Sequence, residues 1–237
     1  MTRRISKGIC CFCHKEFSKA GMGRHLESCE QRAAHEAEAG DRPKTKKVRV
    51  FHLLVEGYRL PMYWMHLEVL AGITLATLDR FLRDTWLECC GHLSVFRIGG
   101  YNYYMDAEID AYWDWDTRRK NMQVPLDQVL HAGQTCSYEY DFGSTTELTL
   151  KVISEREVPA KKNAIEVFAR NTLSVIPCDV CGKPVTYFYT RCIYEDKGYL
   201  CGVCAKDHAC GEEMLLPRVN SPREGVCGYT GQEPACT

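Results

Sequence analysis

The chain has 237 residues, 45% hydrophobic and 26% charged, a composition that indicates a folded globular protein and excludes a disordered one. No apolar run approaches the 18 residues that a membrane helix needs, and no signal-type apolar stretch precedes the first cysteines. We therefore expect a cytoplasmic protein without membrane association, in which clustered cysteines bind metal more often than they form disulfides.

The net charge of −1 is unevenly distributed along the chain. Residues 1–49 hold 12 Lys or Arg against 6 Asp or Glu, whereas residues 50–170 hold 12 against 17. A basic segment on an acidic body is compatible with nucleic-acid contact through that segment alone. A solvated, Lys-rich linker would explain the same counts equally well.

Most of the 15 cysteines fall into two clusters, and the first lies within residues 1–30. Its spacing is Cys10-x2-Cys13-x11-His25-x3-Cys29. Two cysteines on a tight turn, with a His and a Cys one helical turn apart, supply the four ligands of a tetrahedral zinc site. The pattern resembles a C2H2-type finger whose last ligand is a cysteine. We predict a CCHC-type zinc finger over residues 1–30.

Sequence-specific DNA reading by this finger alone is not expected. Of its base-reading positions only Arg24 suits the task, and a single finger spans about three base pairs. Contacts to a nucleic-acid backbone are expected from basic residues of the finger and of the charged linker at 31–47, namely Lys19, Arg24, Lys44, Lys46 and Lys47. A protein-binding or purely structural finger is an equal alternative.

The body at residues 48–172 is predicted to be an α+β domain, a mostly antiparallel sheet with one main helix, flanked by two small zinc modules. Apolar patterns bounded by turn residues predict strands at 48–55, 62–69, 92–98, 101–105, 135–142, 147–153 and 164–170. Helical spacing predicts the helix at 74–87, with Thr74 as its N-cap. Gly99-Gly100 is a hairpin signal. The acidic and aromatic segment 106–116 is predicted to be an exposed loop, with a docking loop for a basic partner as the alternative.

Residues 173–237 are predicted to form a four-cysteine zinc module, either a ribbon or a B-box-like fold, with an extended tail. Two Cys-x2-Cys knuckles supply the ligands Cys178, Cys181, Cys201 and Cys204. Four thiolates close a tetrahedral site and leave no open position for catalysis. A second C-terminal zinc would use Cys192, His208, Cys210 and Cys227; alternatively these are buried or unused side chains. Two zinc ions are expected in the chain, or three.

The run Tyr138-Glu-Tyr-Asp-Phe-Gly-Ser-Thr-Thr-Glu147 resembles the Tyr-x-Tyr-Asp-Phe-Gly-Asp signature of the plasmid pRiA4b ORF-3-like family, the insertion-element passenger TnpR type. Phe96-Arg-Ile-Gly-Gly100 is similar to the same family, and residues 86–94 and 220–231 resemble a zinc-bearing branch of it. The resemblance spans residues 48–231 and implies an α+β fold, carriage on plasmids and mobile elements, and no established chemistry. The family's Asp-x-Trp-Glu-His continuation is replaced here by Ser144-Thr-Thr-Glu-Leu148.

Three hypotheses for function follow. The first is a zinc-binding, non-enzymatic binding protein of mobile-element or phage-related type that contacts nucleic acid or a nucleoprotein assembly. The second is a protein-interaction adaptor that ignores nucleic acid. The third is a metal-dependent nuclease or hydrolase using Asp141 and Glu147, although carboxylates near a turn more often hydrogen-bond it. No small-molecule substrate is predicted.

Overall fold

The computed structural model describes residues 6–40, 46–105, 118–192, 197–211 and 215–231. Lys44, in the predicted linker, and the predicted loop at 106–116 lie outside these ranges. Among the helices of the described residues, none has both the length and the apolar character to cross a membrane.

The body is built on a ten-stranded, mostly antiparallel sheet. Its strand order is β2-β1-β10-β4-β3-β9-β8-β5-β6-β7, and within the described ranges only β6 and β7 pair in parallel. The strands are β1 (Lys7–Cys10), β2 (Glu16–Ser18), β3 (Lys47–Gly57), β4 (Leu60–Leu70), β5 (Ser94–Ile98), β6 (Tyr101–Tyr104), β7 (Arg119–Asn121), β8 (Thr135–Tyr140), β9 (Thr146–Pro159) and β10 (Ile165–Asn171).

The seven strands predicted for the body are present, and the predicted antiparallel sheet is confirmed. Strand β9 extends to Pro159 rather than ending at residue 153, because it pairs with the whole length of β3 from Lys47 to Gly57. The predicted Gly99-Gly100 hairpin joins β5 to β6, and both glycines have positive φ, 58° and 82°. Such angles suit the two-residue turns that match strand twist.

Few helices accompany the sheet. They are α1 (Lys19–Ser28), α2 (Glu30–Gly40), α3 (Leu75–Leu82) and the short α4 (Gly202–Lys206), with a 3-10 turn at Leu126–Gln128. The predicted helix at 74–87 is α3 followed by a π-helical turn, Arg83–Leu87, in which the Glu88 amide donates to the Arg83 carbonyl. The Thr74 side chain accepts a hydrogen bond from the Thr77 amide, which confirms it as the N-cap.

Helix α3 and the π-turn cover one face of the sheet and form the main core with it. Leu75, Leu78, Leu82 and Trp86, the residues at helical spacing, are fully buried, while Phe81 is only partly buried. Each such side chain contributes about 1.5–3 kcal/mol on burial. This packing fixes the end of the π-turn against the sheet, next to the cysteines at 89 and 90.

The N-terminal hairpin is part of the main sheet. Strand β1 pairs with β10 through Gly8–Asn171, Ile9–Arg170 and Cys10–Ala169. Met22 and Leu26 of α1 share a small second core with Trp64 and Phe168 of the body. The segment predicted as a finger at 1–30 therefore extends the body sheet at its edge instead of standing apart from it.

The C-terminal segment carries a separate three-stranded sheet, in the order β12-β11-β13. Its strands are β11 (Tyr187–Tyr189), β12 (Tyr199–Leu200) and β13 (Leu215–Pro217). The tail beyond β13 then returns to the body. Ser221 Oγ donates to the Trp86 carbonyl at 2.6 Å, and Tyr63 Oη donates to Glu224 at 2.7 Å. The tail thus packs on the body.

Candidate metal centres

The structure brings the four residues of the N-terminal cluster together. The ligand atoms of Cys10, Cys13, His25 and Cys29 all lie within 4.8 Å of one another. Cys10 Sγ is 3.9 Å from Cys29 Sγ, and Cys13 Sγ is 3.3 Å from His25 Nε2. A tetrahedral zinc with its usual bond lengths holds sulfur and nitrogen ligands about 3.5–3.8 Å apart, so this donor set fits zinc.

Local backbone geometry positions these ligands. The His14 amide donates to the Cys10 carbonyl at 2.8 Å, and a φ of 56° at His14 closes the turn between β1 and β2. The Ser18 hydroxyl caps α1 by accepting from the Gly21 amide. The His25 ring stacks on Phe17 with centroids 3.8 Å apart, which fixes the plane of the imidazole.

The pKa shifts of His25 and Cys13 favour metal binding at the N-terminal cluster, whereas the shift of Cys10 opposes it. Burial, followed by the positive charge of Lys15, lowers the pKa of His25, so the ring is a neutral ligand at pH 7. Burial opposes ionisation of Cys13, but hydrogen bonds, the largest from the Lys15 amide, outweigh it and lower the pKa. Burial raises the pKa of Cys10 to about 11, so metal binding there must displace a proton.

The C-terminal cluster is also assembled. The sulfur atoms of Cys178, Cys181, Cys201 and Cys204 lie within 4.8 Å of one another, and Cys181 Sγ is 3.6 Å from Cys201 Sγ. The first knuckle closes through a hydrogen bond from the Gly182 amide to the Cys178 carbonyl, and Cys201 is the N-cap of α4. A donor set of four cysteines fits a closed, structural zinc site.

Backbone amides point at the sulfur atoms of both knuckles. Burial opposes ionisation of Cys178, but hydrogen bonds from the amides of Cys201, Cys181 and Val180 lower its pKa to about 6. The Cys204 amide, first among the causes, lowers the pKa of Cys201. The thiolate is the metal-binding form of cysteine, so these amides prepare the cluster for a cation.

The structure separates the four residues that were predicted to bind a second C-terminal zinc. Cys192, His208 and Cys210 lie together, with the two sulfur atoms 3.7 Å apart. Cys227 lies elsewhere, in a group with His92 and Asp141. The extended tail carries Cys227 back to the body, away from the module that precedes it in sequence. The ring of Tyr189 stacks on His208 at 4.0 Å.

A further group was not assigned as ligands from the sequence. Cys89, Cys90 and His92, just after the π-turn, have their ligand atoms within 4.8 Å of one another. His92 also belongs to the group containing Asp141 and Cys227. From the sequence, Cys89-Cys90-Gly-His92 at the end of the helix could donate a ligand, although buried cysteines at a helix end are the commoner case.

Asp141 and Glu147, the pair of the hydrolase hypothesis, have different surroundings. Asp141 accepts hydrogen bonds from the amides of Gly143 and Ser144 and from Arg223. Glu147 lies opposite Glu139 on β8 and β9, where burial first, and then the Glu139 charge, raises its pKa. Asp141 has a φ of 65°, so it is the residue with left-handed backbone conformation in the turn between β8 and β9.

The basic residues predicted to contact nucleic acid differ in how exposed they are. Lys19 is half-buried in an ion pair with Glu56, which reduces its availability to a phosphate. Arg24, Lys46 and Lys47 are exposed. Lys162, which was not predicted, is exposed in the turn between β9 and β10. The Ala160 amide donates to the Lys46 carbonyl at 2.8 Å, so the start of β3 lies beside this turn.

The fold and these clusters define a cysteine-rich α+β protein with several Cys/His groups that could hold metal ions. Residues 49–198 match the plasmid pRiA4b ORF-3-like protein family. The chain belongs to this family, and the recognition made from the Tyr138–Glu147 run is confirmed. The N-terminal hairpin and the C-terminal tail lie outside the match.

The chain is similar in part to the crystal structure of a protein of unknown function from Methanosarcina mazei Go1. The TM-score is 0.43 and the identity 16%, covering 52% of this chain and 69% of the other. The chain has no match among curated proteins.

Proposed function

We propose that the protein is a zinc-binding, non-enzymatic binding protein of mobile-element type that contacts nucleic acid or a nucleoprotein assembly. The observation that carries the proposal is the pair of four-ligand groups, each with all ligand atoms within 4.8 Å. Their donors are Cys and His alone, which are zinc's preferred ligands, and four protein ligands leave no coordination position for a substrate. Metal at these sites would be structural.

Contact with nucleic acid is supported by the exposed cations at one end of the sheet. Lys46 and Lys47 begin β3, and Lys162 lies in the adjoining β9–β10 turn. None of the three has an acidic partner among the described residues, whereas nearby Lys161 is paired with Glu68 and Glu166. Unpaired lysines are suited to the salt-sensitive neutralisation of phosphates.

The test is fluorescence anisotropy with duplex DNA, single-stranded DNA and RNA at two salt concentrations. The full chain is compared with a Lys46→Gln, Lys47→Gln, Lys162→Gln variant. We expect binding that weakens with salt, and a variant whose affinity and salt slope both fall, by about one slope unit for each lost phosphate contact. Truncation before β3 is unsuitable because β1 and α1 belong to the sheet and its core.

The matched control replaces three exposed lysines of the C-terminal segment, Lys183, Lys197 and Lys206, by glutamine. It removes the same charge and should retain binding. Equal loss in both variants would indicate a non-specific effect of net charge. No binding of any nucleic acid by the wild-type chain would remove this proposal.

An adaptor that binds protein alone is the second candidate, and one observation favours it. Val180 and Val203, one within each Cys-x2-Cys knuckle, are 70% and 64% exposed. Exposed apolar side chains on neighbouring loops can form one patch for a protein contact, and the sulfur atoms of the two knuckles lie within 4.8 Å of one another. Retention of a protein partner by a nuclease-treated sample, lost in a Val180→Ser, Val203→Ser variant, would support the adaptor.

The hydrolase hypothesis has no comparable support. The Asp141 carboxylate accepts hydrogen bonds from Arg223 and two backbone amides. The charges that act on Glu147 are different ones, those of Glu139, Arg59 and Arg97. Turnover dependent on Mg²⁺ or Mn²⁺ that is abolished by Glu147→Gln, with folding intact, would be needed to establish it.

A further inference from the structure

We infer an additional metal site, formed by Cys89, Cys90, His92 and Cys227, that ties the C-terminal tail to the body. Its ion would be Zn²⁺ or another borderline-soft divalent cation, because the donors are three sulfur atoms and one imidazole. The site is independent of the proposed nucleic-acid contact, and it uses Cys227, which the sequence alone predicts as a ligand beside Cys192.

Two three-residue groups meet at His92. Its ring nitrogen lies within 4.8 Å of the sulfur atoms of Cys89 and Cys90, and it also belongs to the group with Asp141 and Cys227. Cys90 Sγ is 3.9 Å from the Cys227 carbonyl oxygen, so the two loops are in contact. The two groups share His92 but do not form one set within 4.8 Å, so an ion bound by all four residues requires the loops of Cys90 and Cys227, 137 positions apart in sequence, to close slightly around it.

A second observation is independent of the cysteines. His92 Nε2 is a buried atom that has no hydrogen-bond partner among the described residues. Its distance to Asp141 Oδ2 is 3.5 Å, which is too long for a good hydrogen bond. A buried polar atom left unpaired is costly, and a metal ion would satisfy the nitrogen lone pair. The ring is held edge-on to Tyr140, with centroids 5.8 Å apart.

The surrounding charges suit a thiolate site. Arg223 is fully buried, and its Nη2 lies 3.4 Å from Cys89 Sγ and 2.7 Å from Asp141 Oδ2. Three thiolates and one divalent cation leave a net negative charge, which the adjacent guanidinium offsets. Asp141 already accepts hydrogen bonds from Arg223 and two amides, so we assign it a role in orienting the ligands. The fourth metal ligand is then Cys227.

The backbone brings the ligands to the surface at the junction. The π-turn Arg83–Leu87 ends just before Cys89, and such turns occur frequently at functional sites. Gly91 and Cys227 both have positive φ, 73° and 51°, so each loop reverses at the site. Cys90 and Cys227 are exposed, which would let the ion exchange with solvent.

The first experiment measures zinc per chain by elemental mass spectrometry on full-length protein. Cys227→Ser and His92→Gln should each lose one equivalent relative to wild type and keep the remaining zinc. The matched control is Cys136→Ala, a buried cysteine outside every Cys/His group of the described residues, which should lose none. Wild-type zinc content in a folded Cys227→Ser variant would overturn the site.

The second experiment uses the wild-type chain and stays decisive if the variants fail to fold. Alkylation by N-ethylmaleimide is followed by mass spectrometry at Cys90 and Cys227, both of which are exposed thiols. We expect labelling at least about tenfold faster after chelation, because coordinated thiolates are protected. Equal rates with and without chelator, or labelling only after a reductant, would overturn the proposal, the latter by revealing a disulfide.

Discussion

Arg223 of the C-terminal tail donates a hydrogen bond of 2.7 Å to Asp141 Oδ2, in the run by which the family was recognised. Arg223 is fully buried and also donates to the Ser144 carbonyl and the Thr146 hydroxyl. The hydrogen bond from Arg223 acts against burial and holds the pKa of Asp141 well below its usual range, with help from the amides of Ser144 and Gly143. Asp141 is therefore ionised at neutral pH and joins the tail to the β8–β9 turn.

Replacing Arg223 by Met is expected to destabilise the body strongly. The substitution leaves the Asp141 carboxylate without its cation, and breaking a buried pair is far more harmful than losing a surface one. We expect the midpoint of thermal unfolding to fall by about 5–10 °C.

The control for this prediction is Arg97→Gln, which breaks the ion pair of the half-exposed Arg97 with Glu139 on the same sheet. It should change the midpoint little, because surface pairs contribute about 0–1 kcal/mol. Similar effects of the two substitutions in differential scanning calorimetry would contradict the role given to Arg223.

Gly8 is expected to tolerate no side chain. A Cβ at this position would lie 2.2 Å from the Arg170 carbonyl oxygen and 2.6 Å from the Trp64 ring, so β1 must withdraw from β10. Gly8→Ala should lower the free energy of unfolding by about 1–3 kcal/mol or more in urea denaturation. Gly72→Ala, where nothing lies within 4 Å of the added Cβ, should be nearly neutral. If both behave alike, the hairpin is not docked on the sheet as described.

Cys178→Ser or Cys201→Ser should unfold the C-terminal module, because structural zinc supplies much of the folding free energy of such small modules. The expected result is the loss of one zinc per chain together with rapid proteolysis within residues 173–211. Cys136→Ala provides the control, with zinc content and proteolysis unchanged. Unaltered zinc and melting in the knuckle variants would show that these four cysteines do not bind the ion.

Stability should fall in acid through the buried pair His52 and His66, whose rings hydrogen-bond at 2.8 Å. Burial, with the charge of Arg32, lowers the pKa of His52 to about 4; burial and the neighbouring ring lower that of His66 to about 3. The unfolded histidines take up protons below about pH 6.5 that the folded ones do not. Each therefore reduces stability by up to about 1.4 kcal/mol per pH unit as the pH falls from 6.5 towards 4.

Urea denaturation at pH 7, 6 and 5 measures this dependence. His52→Gln should flatten the decline relative to wild type, because one depressed pKa is removed. His131→Gln, at an exposed histidine, should reproduce the wild-type slope. Identical slopes for all three proteins would show that the buried pair does not govern the acid sensitivity.

Local structure could be predicted from the sequence because the residues that contact each other are close together in the chain. Helix α3 follows from the spacing of Leu75 to Trp86, and the β5–β6 hairpin follows from Gly99-Gly100. The cluster from Cys10 to Cys29 also assembles locally, since a tight turn supplies two ligands and the following helix presents the other two. The Tyr138–Glu147 run identified the family.

Contacts between distant segments depended on the tertiary structure. The pairing of β1 with β10 joins residues more than 150 positions apart, and no feature of the Cys10–Cys29 spacing shows whether a hairpin stands alone or extends a sheet. The sequence alone places Cys227 with Cys192, because both lie in the C-terminal segment. The buried ion pair between Arg223 and Asp141 instead holds the tail close to His92. A buried charge is stable only next to an opposite charge, and that partner can lie far away in the sequence.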